Sequence, residues 1–442
     1  MSERKTSSFS SKVGLIMAAA GSAVGLGNIW KFPYIVGENG GGAFLIVYLI
    51  CVLLFGLPLI MTEFLIGKRS GKSAYGAFRA LNGNNRWQWL SWLCMLTAFV
   101  IMGFYFVVTG WCFNYLFEAL LHTFKHLDTQ ALSAHFTTVA SNKPRMICFS
   151  VLPVVLTAAV LWFDVNKGIE RLSKILMPLL LLMMLLMAGR VLMLEGSNIG
   201  MQFFFETDFT KITPHVIMEA MGQCFFSLSI GMGALITYGA YMPKTQNVVR
   251  TSLEVIILDT LVALLAGVII FPAVFAFGFN PAEGPQLVFV VLPAIFEQMS
   301  FSWLSSVLFF GLLCIAALTS TISLMEVAVA FVCEASEKHR ALNRHQSVLI
   351  VSALVVGLIL LCVFSESLFD YFDEITACIM LPLGALGMSL FVGWSLPKNG
   401  EKGVLYADKG IKRWAGKIYI NVLRWLVPAA IILIFLNSMG VI

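Results

Sequence analysis

The sequence predicts an all-α integral membrane protein of about eleven transmembrane helices. Three observations carry that prediction. Apolar residues make up 59% of the chain and charged residues 12%, against roughly 25% charged residues in soluble domains. Mean hydropathy is +0.88. Apolar runs of the ~20 residues that cross a bilayer recur along the whole length, and two of them are interrupted by small and polar residues.

The runs fall at 12–36, 42–67, 88–121, 147–163, 168–194, 213–242, 246–278, 302–334, 347–364, 368–396 and 419–438. Between them the longest polar stretches are loops, at 122–146 and 195–212 on one side and 397–418 on the other, so 1–442 reads as a single domain. The start, MSERKTSSFSSK, is polar and basic, and no cleavable signal is expected there.

Topology explains the net charge of +5 better than nucleic-acid binding does. With the amino terminus in the cytoplasm, 23 of the 29 Lys and Arg residues fall inside and 6 outside, as the positive-inside rule requires. An odd number of spans then puts the carboxyl terminus outside. This charge pattern fits a multi-pass membrane protein embedded in lipid.

Several function classes are excluded. The nine cysteines are scattered, without a C-x-x-C and with none in the outer loops, so they read as small packing residues. The six histidines show no metal-ligand spacing, and neither a catalytic triad nor a phosphate-binding loop is present, so no enzyme is expected. "GLGNIW", Gly25 to Trp30, lacks the third glycine and the preceding strand of a dinucleotide fingerprint.

The two interrupted runs are "GSAVGLGNIWKFPY", Gly21 to Tyr34, and "GQCFFSLSIGMGALITY", Gly222 to Tyr238. Each opens a set of five spans, 12–194 and 213–396, leaving 419–438 as an extra helix. Paired broken helices at the head of two inverted repeats form the midplane binding site of many secondary transporters. Glycines also serve close helix packing, and Gly21 and Gly25 do form a G-x-x-x-G. Packing does not explain why Asn28, Ser227 and Ser229 lie beside them. Bare backbone groups in hydrocarbon cost several kcal/mol each if unpaired. Unwound carbonyls that bind a cation, and amides and helix dipoles that bind an anion, supply the missing partners.

"AGSAVGLGNIWKFPY" with "ENGGGAF" resembles the first-span signature of the neurotransmitter:sodium symporters. "GQCFFSLSIGMGALITYGAY", "AALTSTISLMEVAVAFVCE" and "FDEITACIMLPLGAL" resemble the sixth, eighth and tenth spans, in order, and the likeness covers nearly the whole chain. It implies a leucine-transporter-like 5+5 inverted-repeat fold with unwound helices 1 and 6. It also implies sodium-driven uptake by alternating access, with sodium (Na+) at two sites. Eleven spans are similar to a bacterial subgroup that carries hydrophobic and aromatic L-amino acids, which implies a bacterial cytoplasmic (inner) membrane.

By the same resemblance, a first sodium site would use Ala23, Asn28, Ser227 and Asp259. A second would use the carbonyls of Gly21, Val24 and Ala316 and the hydroxyls of Thr319 and Ser320. Ala316, Thr319, Ser320 and Leu324 share one helix face; hydroxyls bonding back to their own helix are the alternative for Thr319 and Ser320. The substrate pocket would take Ala23, Gly25, Leu26 and Gly27, then Ile101 and Tyr105, then Phe226, Ser227, Ser229 and Met232, and finally Ser320 and Leu324. Tyr105 would meet the substrate carboxylate; a packed core tyrosine is the alternative.

Gly25 stands where monoamine-carrying members have an aspartate, which favours an α-amino acid over an amine. Ile101, Phe226, Met232 and Leu324 call for an apolar side chain, and flexible Met232 for a broad range from leucine-like to aromatic. Asp259, in "VIILDTLVALLAG", departs from the asparagine expected at its position. A charge at that depth is a functional candidate. Its carboxylate would replace the chloride that chloride-dependent relatives bind near Tyr48, Gln223 and Ser227; a protonated, backbone-bonded aspartate is the alternative.

Lys31 and Asp373 resemble the outer gate, with lysine lacking the bidentate fork of arginine. Tyr241 and Glu334 resemble inner-gate residues facing the basic amino terminus. The usual tail arginine and tryptophan align with Thr6 and Phe9, so Arg4 or Lys5 would have to substitute for the arginine. Gly168 and Pro178 in "GIERLSKILMP" resemble a motif that lets span 5 unwind; a helix start and a mild kink explain them equally. Two other functions remain open at this point. One is an amino-acid sensor that does not transport; the other is proton-coupled transport through Asp259 or Glu63.

Overall fold

The computed structural model describes residues 8–438 apart from 84, 126, 283–285, 338–341 and 397–412. Nine helices among them are long and apolar enough to cross a membrane: Gly42–Ser70, Gln88–Leu120, Lys143–Leu161, Lys167–Leu192, Val248–Ala276, Ser302–Ser336, Arg344–Phe364, Glu366–Ser395 and Gly416–Leu436. A tenth crossing is a bent pair, Lys12–Ala23 and Gly27–Glu38, at 49°. The expected count of eleven is not reached by continuous helices, because the predicted sixth span is in two pieces too short to qualify, Pro214–Ser227 and Ala234–Ala240.

Both interruptions have local causes. Ser11 caps the first helix by accepting from the Gly14 N–H at 3.0 Å. At its far end Val24 turns extended, with φ −70° and ψ 100°. In the sixth span Ser229, Gly231 and Gly233 all take positive φ, 54°, 98° and 78°. That left-handed region suits glycine and is uncommon for a serine. The chain therefore leaves the helix at Leu228 and re-enters it at Ala234.

Packing sorts the helices into two shells. The third span (Gln88–Leu120) and the eighth (Ser302–Ser336) lie side by side and are mostly buried, and the first span rests on the fifth, seventh and eighth. Lys143–Leu161, Lys167–Leu192 and Arg344–Phe364 form the periphery and present Val155, Leu182, Leu186, Leu354 and Leu361 outward. Such outward leucines suit lipid, which the helical backbone tolerates because its hydrogen bonds are internal.

The two outer polar stretches, expected as loops, contain helices. Asp128 caps Thr129–Ser141, and Ser197–Phe205 packs on the seventh span. Leu132 and Phe136, at helical spacing, seat Thr129–Ser141 against the core.

Candidate functional site

The two breaks meet. The Ser229 hydroxyl donates to the Ser22 carbonyl at 2.9 Å, and Gln223 Nε2 donates to the Gly27 carbonyl at 2.9 Å. Leu26 N–H, freed by the bend, donates to the Tyr105 hydroxyl at 3.0 Å. Glu63 Oε1 accepts from the Gly231 N–H at 2.8 Å and so caps the restarted half of the sixth span. Each unwound turn is thus held from another span, as buried backbone groups require.

Two clusters of oxygens flank the breaks. In the first, Asn28 Nδ2 donates to Asp259 Oδ1 at 2.8 Å and to the Asp259 carbonyl at 3.2 Å. The Ser227 hydroxyl lies 3.2 and 3.1 Å from the two Asp259 carboxylate oxygens, and Tyr48 OH lies 3.4 Å from Ser227 Oγ. Asp259 is fully buried. In the second cluster, Ser320 Oγ stands 3.4 Å from both the Gly21 and Val24 carbonyls. Thr319 Oγ1 bonds back to the Ile315 and Ala316 carbonyls at 3.1 and 3.0 Å. Back-bonding therefore describes Thr319 here, whereas Ser320 reaches across to the first span.

Between the clusters lies a small cavity of about 30 Å³ lined by Ser22, Ala23, Gly25, Gly27, Ile101, Tyr105, Phe226, Ser227, Ser229, Met232, Ser320, Leu324 and Leu381. Of the pocket residues expected from sequence, Leu26 alone is not in the lining; its side chain is buried elsewhere and it contributes its N–H. Ser22 and Leu381 were missed. Their signal was present: Ser22 neighbours the first break, and Leu381 belongs to the tenth-span segment "IMLPLGAL". Gly25 is enforced by space, since a Cβ there would overlap Ser320 Oγ and lie 2.7 Å from the Tyr105 oxygen.

Phe226 forms the outer wall. It lines this cavity and also an outer vestibule shared with Glu219, Asp370 and Glu374. Lys31 Nζ sits 4.7 Å above the Phe226 ring, a cation–π distance. The same ammonium bonds both Asp373 oxygens, at 3.0 and 3.1 Å. Lysine makes the outer contact directly, using one point charge between two acceptors.

Tyr241 and Glu334, both expected to face the amino-terminal segment, take separate side-chain partners. Tyr241 OH donates to Glu326 at 2.8 Å, and Arg344 grips the same carboxylate twice, at 3.0 and 2.7 Å. Arg344 Nε also reaches the Leu161 and Phe163 carbonyls. Glu334 instead takes the Ser73 hydroxyl and N–H and pairs with Lys72. Arg4, Lys5 and Thr6 lie outside the described residues. Phe9 is buried, packs on the rings of Tyr238 and Tyr241, and donates its N–H to the Tyr241 carbonyl at 3.0 Å. Glu326 and Arg344 were missed because a lone Glu in an apolar span and an Arg at a helix start carry no pairing signal.

Gly168 lies in a π-turn, Asn166–Glu170, at the start of the fifth span, and Pro178 lies inside the following helix.

Two broken helices meeting at an oxygen-rich pocket, with the Lys31–Asp373 ion pair on one side and the buried Glu326 carboxylate on the other, define a secondary transporter of the broken-helix class. The chain belongs to the sodium:neurotransmitter symporter family, whose model matches residues 6–138 and 130–439. It is 37% identical to the uncharacterized sodium-dependent transporter YhdH of Bacillus subtilis, over 100% of this chain and 99% of that one. An uncharacterized sodium-dependent transporter of Haemophilus influenzae is 34% identical over 99% of each. The crystal structure of MhsT in complex with L-phenylalanine superposes with a TM-score of 0.90 at 37% identity, covering 98% of this chain and 99% of that one. The fold is the leucine-transporter-like one, and the protein is a sodium-dependent transporter rather than an enzyme.

Proposed function

We propose that this protein is a symporter that imports hydrophobic and aromatic L-amino acids with sodium, by alternating access, without a need for chloride. The carrying observation is the juxtaposition of an apolar cavity with the Asp259–Asn28–Ser227 cluster at the two breaks. A zwitterion would enter this pocket in one orientation. Its carboxylate would face the Tyr105 hydroxyl and the unwound first-span amides, its ammonium the carbonyls around Ala23 and Phe226. Its side chain would lie among Ile101, Met232 and Leu324. Ser22 Oγ is buried without a hydrogen-bond partner among the described residues, and a bound polar group would supply one.

Two sodium ions would travel with the cargo. One fits the Asn28, Ser227 and Asp259 oxygens with the Ala23 carbonyl and the cargo carboxylate. The other fits the Gly21, Val24 and Ala316 carbonyls with Thr319 and Ser320. Hard oxygen donors suit a hard cation. The Asp259 carboxylate offsets the cation charge in place of an external anion. The five-span repeats, 12–194 and 213–396, would rock about this site, with 419–438 outside them. The amino terminus would be cytoplasmic and the carboxyl terminus outside, in a bacterial inner membrane.

Uptake of labelled L-phenylalanine and L-leucine into proteoliposomes is the test. Uptake should require external sodium, fail in choline, and persist when gluconate replaces chloride. Saturable binding without exchange would overturn transport in favour of sensing. Uptake in choline driven by a proton gradient would overturn sodium coupling.

A further inference from the structure

We infer that Glu170 is a clasp coupling the mouth of the fifth span to the amino-terminal segment, so that the two open together when the cargo sites face inward; this rests on the alternating-access reading above. Glu170 is 1% exposed although it lies at the cytoplasmic end of its span. Its carboxylate is filled from two directions. Ser10 donates both its N–H and its hydroxyl, each at 2.7 Å, and Ser11 donates its hydroxyl at 2.8 Å. Lys174, one turn further along the same helix, donates at 2.6 Å. Three of the four bonds cross 159 or 160 residues of sequence, and they end on the residues that start the first span.

The clasp is mounted on the π-turn Asn166–Glu170. Glu170 N–H bonds the Val165 carbonyl at 2.8 Å, an i to i−5 contact characteristic of a π-turn, which often marks functional sites. Gly168 sits within that turn with the Val160 carbonyl occupying the place of a side chain. On the other side Gly14 has no side chain because Glu170 fills that space. The first helix then runs unbroken from Lys12 to Ala23. Its far end returns to the fifth span, where Gly21 faces the Met177 sulfur, next to Pro178. The two helices are therefore joined at both ends, by Glu170 at the cytoplasm and by Met177 beside the Gly21 and Val24 carbonyls. Straightening or unwinding the 166–170 turn carries the carboxylate away from Ser10 and Ser11. Losing the serine donors leaves the buried carboxylate with Lys174 alone, which favours opening of the turn. Either event frees the other, which makes Glu170 a positioning residue for the carbonyl cluster 10 residues up the first helix.

Hydrogen–deuterium exchange of the full chain in lipid nanodiscs tests this, on peptides covering 8–16 and 164–174, alongside proteoliposome uptake. Glu170→Gln should speed exchange in both peptides together, by tenfold or more in sodium. It should lower the maximal rate of sodium-driven L-phenylalanine uptake at least fivefold, with KM changed less than twofold. Glu170→Asp, which keeps the charge, should restore coordinated protection. Ser10→Ala changes the other partner and should loosen 164–174 although that segment is unmutated; it serves if Glu170→Gln does not fold. Exchange rising in one peptide alone, or wild-type-like uptake in Glu170→Gln, would overturn the clasp while sodium-driven uptake by the wild type left the transport proposal standing. Coordinated loosening with no wild-type sodium dependence would uphold the clasp and overturn that proposal.

Discussion

Asn28 and Asp259, 231 positions apart, are joined by a 2.8 Å hydrogen bond at the point where the first span loses its helix. The bond sets a buried carboxyl group against the broken turn, and in the proposed symport that group carries the site's negative charge. Replacing Asp259 by Asn should make uptake chloride-stimulated and raise the sodium concentration for half-maximal uptake by about tenfold, equivalent to ~1.4 kcal/mol. Sodium and chloride titrations of proteoliposome uptake check this. Chloride-insensitive uptake at wild-type sodium affinity in Asp259→Asn would remove the charge-substitution account.

Gly25 leaves no room for a side chain between Ser320 and Tyr105. Gly25→Ala should weaken L-phenylalanine binding by about 10- to 100-fold, since overpacking a filled site costs ~1–3 kcal/mol. Equilibrium binding in saturating sodium measures it, and a wild-type melting temperature would localise the effect to the pocket.

Met232 and Leu324 line the apolar part of the cavity. Met232→Phe should narrow the cargo range, cutting tryptophan uptake relative to leucine by about tenfold, as pocket-volume differences of one or two methylenes do. Competition uptake with a panel of amino acids reads this out directly. An unchanged ranking would place the cargo side chain elsewhere.

Lys31 and Asp373 close the outer side above Phe226. Both side chains are partly exposed, at 12% and 27%, so the pair contributes modestly, about 1 kcal/mol. Lys31→Ala should therefore speed dissociation of bound L-phenylalanine about fivefold, with little change in thermal stability. A filter-binding chase gives the rate. The swapped pair Lys31→Asp with Asp373→Lys should recover part of the residence time.

Glu118 is buried beneath the outer helix Thr129–Ser141, held by Arg145 at 2.6 Å and His135 at 2.9 Å. Arg145→Ala leaves that carboxylate with His135 alone. Breaking a buried pair costs ~3–5 kcal/mol, less here because Arg145 is one-third exposed, so about 2–3 kcal/mol is expected. Thermal unfolding in detergent should show the loss, and Arg145→Ala with Glu118→Gln should regain most of it.

Much of the site was legible because its determinants are local. Broken helices declare themselves through glycine and serine runs inside apolar segments, and Gly25, Ser227, Ser229 and Asp259 are conspicuous there. The outer pair Lys31 and Asp373 followed from family likeness and is present as a direct contact. The inner side was less legible. Glu334 and Glu326 stand on the same helix eight residues apart, and nothing in their neighbours tells which one Tyr241 meets.

What the sequence determined alone is therefore the solvent, the approximate spans and the places where helix gives way, since hydropathy and backbone preference are properties of short segments. Only the tertiary structure decided which buried charges pair: Glu326 with Arg344, Glu118 with Arg145, Glu170 with Ser10 and Ser11. A buried carboxylate must find donors wherever packing brings them, and packing is set by how whole helices lie against each other, across 18 residues for Glu326 and Arg344 and 160 for Glu170 and Ser10.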